Sequence, residues 1–481
     1  MQPIRLVLTA FTVSLASTLS LVVACGSSSS GNPAAGQDSG QGGDTSMGDT
    51  SVADTGTANE AAVDGGTDGP VNHLAFPKVI DWGDPQMTAA KVVTITFQGD
   101  PMASQLAAFG EGVTQSSWWS TVIADYCPAD AGGCMGQPGV AAPLGVPAAA
   151  SYTDSSFGGA STLQPALQAL IAAGSVPEPD ANTLYLFYLP STTTVNLDGS
   201  PGCSTGWDGY HGQTQYTSDA GAATTAIYGV VMECPMYQLS DVTNTATHEI
   251  AEAASDGYAG SSGNGGWYLA LKDVNTFGWN DSLGGGEVGD LCVDQLGLGQ
   301  DVASETSGDA GTFTAQRIWS TSQAALMKNP CIPVPSGEVY FSVSPEKAFF
   351  VMDVGQTRTF KATAFTDGTF PSWTLTPQDW TDPNTTYLQL SVSGSADGGV
   401  SVSDGSIVTI TMKLLADPTG TYNGEADGVL MSTDTSDPNA ATKGHIWPFA
   451  VMTTGAAADG GYMESAHRPP HRGNRVRMGR R

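Results

Sequence analysis

The sequence predicts an α/β domain with helices flanking a central sheet, followed by an all-β sandwich of Ig-like type, and three observations carry that prediction. Two continuous apolar runs, 184–189 and 226–232, suit strands covered on both faces. Ahead of them Leu163, Leu167, Leu170 and Ile171 recur at helical spacing behind Ser161 and Thr162, and Gly174 stops the pattern. Beyond Pro335 the helical period vanishes and short alternating strands separated by Asp-Gly turns take over. The implied boundaries are 74–335 for the α/β domain and 336–454 for the sandwich.

In chain order, the first 25 residues read as an export signal. Arg5 supplies a thin positive region, and residues 6–24 are uncharged and apolar or hydroxylic. The run Leu21-Val22-Val23-Ala24-Cys25-Gly26 resembles the bacterial lipobox, which implies cleavage before Cys25 and lipidation of its thiol. Residues 26–73 then form an acidic Gly/Ser-rich linker; between 26 and 72 there are seven acidic residues and neither a basic nor an aromatic one. Such a segment buries too little apolar surface to offset its ordering entropy, so a disordered spacer is expected.

Order is expected from Leu74. The β-branched run at 91–97 is a strand ended by Gln98-Gly99-Asp100-Pro101, and helices are expected around 105–113 and 116–126, the second carrying Trp118 and Trp119. In the sandwich, strands are expected at 339–343, 357–365, 388–392, 407–412, 428–432 and 446–451. Residues 455–481 should be a disordered basic tail, holding Arg468, Arg472, Arg475, Arg477, Arg480 and Arg481.

Those six arginines come from a total of 17 Lys and Arg set against 47 Asp and Glu in 481 residues, for a formal charge of −30. Phosphate recognition needs a basic surface, so the folded part is not expected to bind nucleic acid. With Cys25 lipidated, six cysteines remain: Cys127, Cys134, Cys203, Cys234, Cys292 and Cys331. An even count in an exported chain without a CxxC favours disulfides over thiolate metal sites. Sequence alone allows 15 pairings; order of appearance suggests 127 with 134, 203 with 234 and 292 with 331.

One segment carries chemistry: Thr247-His248-Glu249-Ile250-Ala251-Glu252-Ala253-Ala254-Ser255-Asp256-Gly257. Ser240 and Asp241 can cap a helix there and Gly257 can end it, with Ala246, Ile250 and Ala253 on a buried face. His248 and Glu252, four apart, project together from another face, with Glu249 beside them and Asp256 a turn further on. On a solvated helix the same residues are merely an acidic face. His211 lies in a Gly-flanked segment, Gly209-Tyr210-His211-Gly212, where it could serve as ligand or transition-state donor. No P-loop is present.

The helix motif resembles the zincin metallopeptidase signature HExxH, with Glu252 standing where the second His belongs. That resemblance implies a zincin-like domain with His248 and Glu252 as metal ligands and Glu249 as general base. It further implies a third ligand, for which Glu287 in Gly286-Glu287-Val288-Gly289-Asp290-Leu291-Cys292 is the first choice and Asp256 a competitor, with Asp290 in the outer orienting role. The cofactor is then one divalent metal, zinc first and calcium or manganese as alternatives, because a carboxylate ligand hardens the site. The strand at 92–97, Ser117-Trp118-Trp119 with Tyr126, the Gly-Tyr-His segment, the His-Glu-x-x-Glu-Ala helix and Gly-Glu-Val-Gly-Asp-Leu-Cys together resemble the phosphate-induced, EXORDIUM-like secreted proteins. The expected protein is a lipid-anchored component of the bacterial envelope, at the outer membrane or cell surface. It is either a metallopeptidase-like hydrolase or a non-catalytic binder of extracellular protein or polysaccharide.

Overall fold

Val92-Val93-Thr94-Ile95-Thr96 is β-branched at every position, and the strand Lys91–Thr96 that it forms lies inside a five-stranded sheet. The computed structural model describes residues 73–455 except 129–130, 156–158, 219–220, 258–264, 284, 294–301, 308–310, 383, 396–397, 422–423 and 435–443. The export signal with Cys25, the linker up to residue 72 and the tail from 456 lie outside the described residues.

The order in this sheet is Val140–Pro143, Lys91–Thr96, Thr183–Leu189, Ala223–Met232, Gly209–Thr217. The first four run parallel, and the last is antiparallel to its neighbour, with His211 opposite Gly229. Side chains alternate between two cores. Val92, Leu184, Leu186, Ile227 and Val231 enter one, while Val93, Tyr185, Phe187, Tyr228 and Val230 enter the other. Burial on both faces is why the runs at 184–189 and 226–232 are apolar without alternation.

The fold class expected from sequence needs correction. Strands take 38% of the described residues and helices 21%, and the strands are spread over seven sheets. The chain is therefore mostly β, not a zincin-like α/β arrangement of helices around a central sheet. Two physical causes produced the error. Only one helix among the described residues exceeds ten residues; Ala103–Gly112, for example, passes at once into a 3₁₀ turn, Val113–Gln115. Meanwhile, short segments that carry too little periodicity to be recognised pair as strands: Val79–Asp81 with Trp267–Leu269, Ser151–Asp154 with Thr194–Leu197, and Val302–Ser307 with Gly311–Gln316.

Beyond residue 340 the strands form a four-stranded sheet, Phe341–Pro345, Thr357–Thr366, Ile407–Leu414, Leu388–Val392. A second sheet has five strands, Phe349–Met352, Gly444–Thr453, Ala426–Thr433, Trp373–Asp379, Val400–Val402. The core of this region is continuous with that under the first sheet. Phe76 stacks on Trp447 at 5.1 Å between ring centroids and meets Trp319 and Trp279 edge-on at 5.7 and 6.2 Å. The regions expected as separate domains at 74–335 and 336–454 thus share one core and belong to one compact unit.

Disulfides join Cys127 to Cys134, Cys203 to Cys234 and Cys292 to Cys331. The second fastens the loop before Gly209–Thr217 to the end of Ala223–Met232, and the third ties the 3₁₀ turn Asp290–Cys292 to the strand Cys331–Ile332. Trp118 and Trp119 are both core residues, and their indole N–H groups donate to the carbonyls of Gln316 and Cys134.

Candidate metal centre

The helix Leu239–Asp256 begins more than two turns ahead of the motif. Gln238 is its N-cap, and Asp241 closes a capping box by accepting the Gln238 N–H at 2.7 Å. The cap is thus two residues earlier than Ser240, and Gly257 ends the helix. It packs against Gly209–Thr217 and Ala223–Met232 and also against Gly311–Gln316. Enclosed by these strands, it has no solvated face at the motif: His248, Glu249 and Glu252 are each 0% exposed.

Around His248 three groups converge. Its Nε2 lies 3.0 Å from Glu252 Oε2 and 3.7 Å from Asp290 Oδ1. Its Nδ1 lies 3.0 Å from Gln316 Oε1, and the same amide donates from its nitrogen to the Gly289 carbonyl at 2.7 Å. The Gln316 amide is therefore oriented with its oxygen toward the ring, so His248 Nδ1 carries a proton and Nε2 is the ring nitrogen that faces the two carboxylates. Glu252 Oε1 accepts the backbone N–H groups of Gly289 and Asp290, both at 3.1 Å, which leaves Oε2 turned inward.

His211 enters from the neighbouring strand. Alternation sends Tyr210 into the second core and His211 toward the helix, where Nδ1 lies 3.3 Å from Glu249 Oε2 and 3.7 Å from Glu252 Oε2. The opposite ring nitrogen, Nε2, faces Glu287 Oε1 at 3.8 Å. Glu287 also hydrogen-bonds Asp256 and Glu252, and Asp256 accepts the Gly266 N–H.

Of the residues singled out in the sequence, His248, Glu252 and Asp290 form one donor set, and His211, Glu249 and Glu252 a second. Glu287 lies on the His211 side, and Asp256 stands behind it. Two glycines make room for this. A Cβ on Gly289 would come within 2.7 Å of His248 Nδ1 and 2.8 Å of Glu252 Oε1, and one on Gly209 within 2.6 Å of Glu249 Oε1. Gln316, 68 residues from His248 along the chain, carried no sequence signal.

Five buried carboxylates in one place strain against ionisation. Burial and then Glu252 push Asp290 well above the usual carboxylate range, and burial with Glu252 and Asp256 does the same to Glu287. Glu249 is raised by burial to about 7 although its His211 hydrogen bond opposes this, and Asp256 is raised by burial to about 6. For Glu252 burial is outweighed by His248, which holds its carboxyl low. Burial lowers His248, but Glu252 more than reverses this and raises it to about 10; for His211 the Glu249 hydrogen bond likewise outweighs burial.

The donors fit a divalent cation. His248 Nε2 and Glu252 Oε2 face each other at 3.0 Å inside the centre, and Glu249 Oε1 is buried with no hydrogen-bond partner; a buried acceptor in that state costs about 1–3 kcal/mol, more when charged. A cation bound by these atoms removes that cost. Imidazole and carboxylate donors with no thiolate suit zinc and manganese; calcium prefers six to eight oxygens.

No family model matches the chain, and no curated protein matches it. Among solved structures, a conjugative transposon lipoprotein from Bacteroides eggerthii aligns at 10% identity over 23% of this chain and 95% of its own, with a TM-score of 0.18. Domain 1 of VCBP3 from Branchiostoma floridae aligns at 9% identity over 25% of this chain and 98% of its own, with a TM-score of 0.17. Neither similarity fixes a fold family or an activity.

Proposed function

We propose that this chain is a bacterial envelope lipoprotein whose folded region is a divalent-metal-dependent, metallopeptidase-like hydrolase, with zinc the cation its donors suit best. The observation that carries this is the convergence of His248 Nε2, Glu252 Oε2 and Asp290 Oδ1 in the interior, with the other nitrogen of His248 fixed by Gln316. A zinc ion held by His248, Glu252 and Asp290 would supply an acidified water and polarise a carbonyl. Glu249 is the residue placed to hold a proton taken from water: its Oε1 is free, its carboxyl sits at about 7, and His211 orients it through Oε2.

The test is metal content of the full chain purified in detergent and dialysed against zinc or manganese. Stoichiometric zinc that raises the melting temperature and is lost on His248→Ala supports the centre; absence of any stoichiometric metal overturns it. A second reading, a metal-stapled surface protein that binds without catalysis, is favoured by the burial of all the donors, each 4% exposed or less. Metal-loaded chain that leaves casein and synthetic peptides uncut would select that reading.

Three disulfides fit an oxidising, extracytoplasmic compartment. Among the described residues no helix is long and apolar enough to cross a membrane. The anchor in this proposal is the lipid on Cys25, supported by Leu21-Val22-Val23-Ala24 before it. Cys25→Ser should move the protein from the detergent to the aqueous phase in Triton X-114 partitioning; unchanged partitioning rules out acylation there.

A further inference from the structure

Two donor sets meet in the centre and have only Glu252 in common. One contains His248, Glu252 and Asp290, the other His211, Glu249 and Glu252, and within each set the donor atoms lie within 4.8 Å of one another. Donors around one zinc ion at about 2.0–2.2 Å are at most about 4.4 Å apart, so each set spans roughly what a single ion gathers. The two histidines fall in different sets.

Charge favours the same count. Glu249, Glu252, Asp256, Glu287 and Asp290 are all buried. Fully ionised they would carry five negative charges, of which one dication offsets two and a pair offsets four. The close contacts are also divided: His248 Nε2 meets Glu252 Oε2 at 3.0 Å and Asp290 Oδ1 at 3.7 Å, whereas His211 Nδ1 meets Glu249 Oε2 at 3.3 Å and Glu252 Oε2 at 3.7 Å. Each imidazole directs one nitrogen into its own set. His248 turns Nε2 inward and Nδ1 to Gln316 Oε1 at 3.0 Å, and His211 turns Nδ1 inward with Nε2 on the side of Glu287 Oε1, 3.8 Å away and beyond hydrogen-bond distance. An outer acceptor such as Gln316 orients a metal-bound histidine.

We infer that the centre binds two divalent cations, one held by His248, Glu252 and Asp290 and the other by His211, Glu249 and Glu252, with the Glu252 carboxylate shared between them. This rests on the metal-centre reading above and changes one role in it: Glu249 becomes a ligand instead of the proton acceptor. Paired cations bridged by a carboxylate are suited to clamping both the attacking and the leaving oxygen of a hydrolytic displacement.

The experiment titrates metal-free full chain with zinc chloride by calorimetry and counts bound zinc by mass spectrometry after desalting. Two equivalents are expected for the wild type, one for His211→Ala and one for Glu249→Ala. Circular dichroism verifies that each variant is folded, and His211→Gln provides a milder change at the same position. A second readout uses manganese(II) alone: two ions sharing one carboxylate give an exchange-coupled EPR spectrum, which His211→Ala should convert to the six-line signal of an isolated ion. One equivalent in the wild type, lost on His248→Ala and kept in His211→Ala, overturns this inference and leaves the single-ion centre standing. Two equivalents with only uncoupled manganese overturn the shared carboxylate. No bound metal overturns both readings.

Discussion

Gly289 is required for space and not for conformation: its φ of −79° is open to any residue, yet a Cβ there would press on His248 Nδ1 and Glu252 Oε1 at 2.7 and 2.8 Å. Gly289→Ala should therefore displace two donors while costing the fold only about 1–3 kcal/mol. Zinc affinity measured against a chromophoric chelator should fall about 10- to 100-fold, the loss usual when the support of a ligand is disturbed. Unchanged affinity would show that neither donor holds the ion. At this scale the sequence revealed what a helix alone can arrange. His248, Glu249 and Glu252 were legible because positions one and four apart have a fixed relation on a helix. The roles within Glu287-Val288-Gly289-Asp290 were not, because a short turn has no period to say which carboxylate faces His248. The fold places Asp290 beside it and Glu287 beside His211.

Among the elements, the 3₁₀ turn Asp290–Cys292 bears on the centre most directly, because it presents Asp290 and is tied by Cys292 to Cys331, 39 residues on. By loop entropy that cross-link contributes about 4 kcal/mol, against about 2.5 kcal/mol for the seven-residue separation of Cys127 and Cys134. The double variant Cys292→Ala/Cys331→Ala should lose both stability, read by urea denaturation, and zinc affinity. Cys127→Ala/Cys134→Ala should lose stability and keep its affinity. Equal affinity in the two variants would mean that the tether does not position Asp290. The longer strands were readable in advance: those expected at 357–365, 388–392 and 407–412 are observed at Thr357–Thr366, Leu388–Val392 and Ile407–Leu414. Phe349–Met352, Trp373–Asp379 and Val400–Val402 were missed. The first and last have only four and three residues, and Trp373–Asp379 contains Pro377, which argues against a strand.

Across the whole molecule, the mostly-β character escaped the sequence because helix signals are local while short strands are defined by partners far along the chain. Val79–Asp81 finds its partner in Trp267–Leu269, and nothing near either segment announces the pairing. The same long-range logic joins the two regions separated by the change of texture at Pro335. Phe76 lies before the first sheet, yet its ring meets Trp447, Tyr340 and Phe365 of the second region at 5.1, 5.6 and 5.9 Å, and Trp319 and Trp279 of the first at 5.7 and 6.2 Å. A core shared in this way couples the unfolding of both regions, since neither can open without exposing aromatic surface of the other. The full chain should accordingly show one calorimetric transition for the two regions together. Phe76→Ala should lower its stability by about 3–5 kcal/mol, the cost of emptying a large aromatic site, and should do so without splitting the transition. Two resolved transitions in the wild type would mean that the regions fold separately and that the aromatic contact is a docking surface instead of a common core.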